Sequence, residues 1–69
     1  MFEFKINFKN RTCYGDHYSV WVWIDERWVS IIDKIYYAET KQQVINAIKN
    51  ECKSMFGIRR AKFIIGESR

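Results

Sequence analysis

Phe2, Phe4, Ile6 and Phe8 alternate with Glu3, Lys5, Asn7 and Lys9 at the start of the chain. This period of two predicts a half-buried strand with one apolar and one polar face. Asn10 to Asp16 contains Asn, Gly and Asp, and reads as a turn or short loop. Hydrophobic residues resume at His17 and run to Ile24, stop at Asp25-Glu26-Arg27, and resume from Trp28 to Ile32. Lys34 to Ala38 can continue that run past Asp33. Two β-rich runs so close together predict a hairpin, with a two-residue loop at Glu26-Arg27.

From Thr40 the period changes. Thr40 and Gln43 have capping-box spacing: the Thr hydroxyl can accept from the amide of Gln43, whose side chain reaches back to the cap N–H. Val44, Ile45, Ile48, Cys52, Met55 and Phe56 form one apolar stripe. Lys41, Gln42, Asn46, Lys49, Asn50 and Lys53 occupy the other side, and Gly57 suits a left-handed stop. A last strand is expected from about Ile58 to Ile65, with a charged tail after Gly66. The prediction is an α+β fold: a four-stranded, mainly antiparallel sheet in β-β-β-α-β order, with one helix packed on one face.

A sheet with one helix has one open face, and strand parity says what lies there. Tyr18, Val20, Val22 and Ile24 share one side of their strand, and His17, Ser19, Trp21 and Trp23 the other. With the hairpin loop at Glu26-Arg27, Val29, Ile31 and Ile35 join the aliphatic side as the bed for the helix. Trp28, Ile32, Lys34 and Tyr36 fall with the tryptophans. Phe2, Phe4, Ile6 and Phe8, with Ala61, Phe63 and Ile65, are expected on the helix side. That leaves Lys5, Asn7, Lys9, Arg60, Lys62 and Ile64 facing outward. The candidate binding residues are therefore Trp21, Trp23, Trp28 and Tyr36 with Lys5, Lys9, Lys34, Arg60 and Lys62. A slip of one residue, or a bulge near Asp33, would invert these faces locally.

Three uses of such a face compete. Trp, Tyr and Arg dominate protein–protein hot spots, and a homodimer pairing two open faces belongs to this class. Aromatics flanked by Lys and Arg also suit single-stranded nucleic acid, stacking bases while cations follow the phosphates. The third possibility is a second small core, with the N-terminal segment or the 10–16 loop folded over the indoles.

Composition narrows the alternatives. A chain of 69 residues, 48% hydrophobic and 29% charged, is expected to form one globular domain over 1–69 with a thin core. Its net charge of +4 favours anionic partners mildly. Residues 1–12 and everything after Thr40 are net basic, whereas 13–40 carry Asp16, Asp25, Glu26, Asp33 and Glu39 against Arg27 and Lys34. No 7–15-residue apolar leader opens the chain and no run approaches a membrane span, so a complete cytoplasmic gene product without membrane contact is expected. Cys13 and Cys52 are the only cysteines, and both are expected reduced.

Little in the sequence supports chemistry. His17 is the only histidine, and with two distant cysteines it supplies no zinc set. Gly15, Gly57 and Gly66 build no phosphate loop. Cys13 beside Tyr14, near His17, is a possible thiol site, but loop cysteines are common and a reactive one needs a lowered pKa. A non-catalytic binding protein is expected, without cofactor, metal or small-molecule substrate.

The chain has ten Ile but neither Leu nor Pro, and is rich in Lys and Tyr. In this it resembles small proteins of bacteriophages and other mobile elements from AT-rich hosts. Many of these bind and inhibit host machinery, including nuclease defence systems such as CRISPR effectors and restriction enzymes. The resemblance implies an anti-CRISPR-like inhibitor with no active site, working through its open face. The acidic stretch from Asp16 to Glu39 would be a second surface, able to enter a nucleic-acid channel by charge mimicry. The positive net charge opposes mimicry by the whole protein.

Overall fold

A computed structural model describes residues 1–38 and 40–67. It contains β1 (Phe2–Thr12), β2 (Gly15–Ile24), β3 (Arg27–Tyr36), α1 (Lys41–Phe56) and β4 (Ala61–Glu67). The strands form one sheet in the order β3-β2-β1-β4. β2 is antiparallel to both β1 and β3, but β4 runs parallel to β1, so the sheet is mixed. Chain direction explains this. The single helix carries the chain back once along the sheet, so β4 must run the way β3 runs, which is also the way β1 runs. The charged tail beyond Glu67, and Glu39 at the end of the acidic stretch, lie outside the described residues.

The segment expected as a loop at 10–16 is the tip of a hairpin. β1 continues to Thr12, opposite Gly15, and only Cys13 and Tyr14 turn. The Thr12 hydroxyl donates to the Gly15 carbonyl at 2.9 Å and accepts from the Tyr14 amide at 3.1 Å. Gly15 has φ +133°, and a Cβ there would stand 2.4 Å from the Tyr36 carbonyl oxygen, so only glycine fits.

The second hairpin differs from expectation in two ways. Its turn is Asp25-Glu26, with φ of 52° and 61°, and Ile24 pairs with Arg27. Positive φ at both positions matches the twist that two-residue hairpin turns require. This moves each cross-strand partner by two positions and leaves the faces unchanged. Thus Trp23 meets Trp28 and Trp21 meets Ser30. The second difference does change faces. Trp21 pairs with Ser30 but Val20 pairs with Ile32, so Ile31 is the extra residue of a β-bulge. Beyond it, Ile32 joins the buried core and Ser19 faces Asp33. Lys34 and Tyr36 therefore lie on the helix side, correcting their expected place beside the tryptophans, and Ile35 moves to the open face.

The helix begins as its sequence dictates. The Gln43 amide donates to Thr40 Oγ1, and the Thr40 amide donates to Gln43 Oε1, both at 3.2 Å. At the other end Gly57 is left-handed, and the Ile58 amide donates to the Lys53 carbonyl at 2.9 Å. Val44, Ile45, Ile48 and Cys52 are buried. Val44, Ile48 and Cys52 close over Phe4, Ile6, Tyr18, Val20, Val22 and Ile32. Phe56 seals one end, 5.0 Å from Phe2 and 5.6 Å from Phe4 between ring centres, while Phe63 stacks on Phe4 at 5.2 Å.

Candidate functional site

Parity and register fix the composition of the open face row by row. Ser30, Trp21, Lys5 and Ile64 form one row across the sheet. Asp33, Ser19, Asn7 and Gly66 form the next, followed by Ile35, His17 and Asn10. The row on the other side of Trp21 holds the Trp28–Trp23 pair, and at that end of the sheet Glu3 faces Lys62. No described element lies over these residues. The 10–16 segment extends the sheet and the N-terminus is β1 itself, so neither of the expected covers exists.

The three tryptophans are gathered at one end. Trp23 and Trp28 meet edge to face with ring centres 5.2 Å apart. The Lys5 ammonium sits 4.5 Å from the Trp28 ring centre, which leaves this lysine held against an indole. Trp21 and Trp28 are half-buried, whereas Trp23 is 40% exposed. Beside Trp23, Met1 and Phe2 border a shallow notch of about 240 Å³. The sequence pattern places the tryptophans but does not show this notch, because it depends on where the first residue lies.

The basic residues do not form one patch. Lys5 is engaged with Trp28, and Lys62 is the cross-strand neighbour of Glu3. Lys9 is the extra residue of a bulge in β1, and Arg60 precedes β4; both are exposed. Lys34 is on the opposite side, 3.4 Å from Glu51 of the helix and 4.9 Å from the Tyr36 ring centre. The Tyr36 hydroxyl donates to Glu51 at 3.4 Å. Burial, and then the Glu51 charge, push the Tyr36 hydroxyl far above its ordinary pKa. Lys34 and Tyr36 thus tie β3 to α1, a role parity alone could not assign.

The acidic stretch is dispersed as well. Asp16 pairs with Arg11 at 3.1 Å, Asp25 and Glu26 cap the second hairpin, and Asp33 contacts His17 Nε2. The His17–Asp33 contact, which the expected register missed, lies beside the buried Ser19 on the open face.

A second cavity of about 320 Å³ lies at the far end of the molecule, bordered by Arg11, Cys13, Asp16, Tyr37 and Lys41 among others. Cys13 is exposed at the hairpin tip and Cys52 is buried, and neither is bridged. Burial, followed by the neighbouring Glu51 charge, pushes the Cys52 thiol up to about 11. Among the described residues no group of three His, Cys, Asp or Glu side chains could hold a metal ion. No described helix is long and apolar enough to cross a membrane.

Comparison with protein-family models, with curated proteins and with solved structures finds no match.

Proposed function

We propose that the chain is a non-catalytic binding protein whose open sheet face docks on another protein through Trp21, Trp23 and Trp28. The observation that carries this reading is the tryptophan cluster on the face without a helix. Large aromatics cost free energy when left in water, and monomers rarely expose wide apolar patches without a use. Indoles are also the side chains that most often anchor protein interfaces. The notch beside Trp23 supports the same reading, because it can seat an apolar side chain from the partner. The compositional resemblance to phage proteins supplies the partner class: a nuclease effector of a host defence system.

The dispersion of Lys5, Lys9, Lys34, Arg60 and Lys62 favours protein over single-stranded nucleic acid. Phosphate tracking needs cations along one path, and here two of the five are engaged with an indole or a carboxylate. The test is Trp21→Ala with Trp23→Ala. The fold should survive by circular dichroism while binding to the target effector is lost. Core aromatics would instead cost about 3–5 kcal/mol each and unfold so small a domain. A double variant that unfolds, or that still binds, removes this reading. Oligonucleotide binding with a steep salt dependence would favour the nucleic-acid alternative.

A further inference from the structure

The two edges of the sheet differ. β3 is blunted in the ways sheet edges usually are. It carries the Ile31 bulge, and Arg27, Asp33 and Lys34 are exposed along it. β4 has no bulge, and its only charged residues are Lys62 and, at its last position, Glu67. Its register with β1 is unbroken from Ala61 to Glu67, and it contains no proline. It also exposes one isoleucine on each side. Ile64, on the open face, is 38% exposed, and Ile65, on the helix face, is 49% exposed. Such an edge presents unpaired amides and carbonyls together with side chains that gain from being covered.

We propose that β4 pairs antiparallel with β4 of a second copy of this chain across a two-fold axis. The sequence of the strand is self-complementary in one register. With Ile64 opposite Ile64 of the second copy, Phe63 stands opposite Ile65, and Lys62 stands opposite Gly66. Every apolar residue that β4 exposes then gains an apolar partner on its own face. The two lysines are kept apart rather than opposed, which avoids the cost of like charges across a strand pair. A two-residue slip either way sets Ile64 against Gly66 or Lys62, so this register is preferred. The interface is isologous and closes on itself, leaving the blunted β3 strands as outer edges. The result is one continuous eight-stranded sheet, with both helices on one side and both tryptophan clusters on the other.

This pairing does not use Trp21, Trp23 or Trp28, so it stands or falls separately from the docking reading. The test is sedimentation equilibrium of the purified chain up to submillimolar concentration. The unmodified chain should be a dimer. Ile64→Lys and Ile65→Lys should each be monomeric with an unchanged circular dichroism spectrum, because both side chains are already part-exposed. The Trp21→Ala, Trp23→Ala double variant should remain a dimer. If a lysine variant unfolds, Ile64→Thr keeps strand preference while removing the central apolar pair, and it should weaken the dimer. A chain that is monomeric throughout overturns the proposal. So does a dimer indifferent to all changes at Ile64 and Ile65, or one lost only in the tryptophan variant.

Discussion

Tyr36 and Cys52 show what a single bulge does to individual side chains. With Ile31 as the extra residue, Tyr36 turns under the helix, where its hydroxyl meets Glu51, the residue preceding Cys52. Burial and that carboxylate both favour the protonated forms of the phenol and the thiol. Each group therefore releases its proton more readily in the unfolded chain. Above their ordinary pKa values the unfolded state binds fewer protons, and stability falls as pH rises. For Cys52 the loss begins near its ordinary value of 9.0 and levels off past about 11. Tyr36 adds to it from 10.0 upward. Urea midpoints should accordingly be level around neutrality and drop through that alkaline window. Tyr36→Phe should make the drop shallower. A midpoint that is flat through the window would mean that neither group is held in its protonated form by the fold.

The helix depends on Ile48, which is fully buried at the centre of its apolar stripe. Ile48→Ala should cost about 2–5 kcal/mol, read as a shift in the urea or thermal midpoint. A domain of this size has only about 5–15 kcal/mol in total, so the variant should be near unfolding at physiological temperature. A cost of a few tenths would mean that the stripe packs elsewhere. The helix was legible because its signals agree: the Thr40–Gln43 box, a stripe of period 3.6 and Gly57. β1 was legible as far as Lys9 because polar and apolar residues alternate there, and β2 because its hydrophobic run from Tyr18 to Ile24 is bounded by turn-forming residues, but the extension of both strands to the Cys13-Tyr14 tip was not. β3 was legible only as far as Ser30. Ile31 and Ile32 are adjacent and both apolar, so alternation cannot say which one turns inward, and every residue after them depends on that choice. The sheet was expected to be mainly antiparallel, although strand–helix–strand order implies that β4 runs with β3. What the order did not reveal is that β4 crosses the sheet to lie beside β1. For the site, parity located Trp21, Trp23 and Trp28, but the separation of the lysines depended on the bulges and on β4 lying beside β1.

The whole molecule measures 35 × 23 × 15 Å between Cα extremes. Sheets and helices pack about 10 Å apart, so the short dimension is spent on one sheet and one helix. The described chain has no third layer to place over the tryptophans. Folding therefore completes one side of the sheet and leaves the other uncovered, with Trp23 the most exposed of its three indoles. This makes a direct optical prediction. A neutral quencher should reach Trp23 efficiently in the isolated protein, and Trp23→Phe should remove the most accessible part of the emission. Lys5→Ala should increase quenching of the remainder, since the Lys5 ammonium sits over Trp28. Because β4 pairing leaves the face uncovered, the quenching constant should not change with protein concentration. Protection that disappears on dilution would indicate two open faces packed together, the arrangement in which the indoles serve self-association. Protection that persists in a monomer would mean that the tryptophans form a core of their own, and docking through this face would then fail.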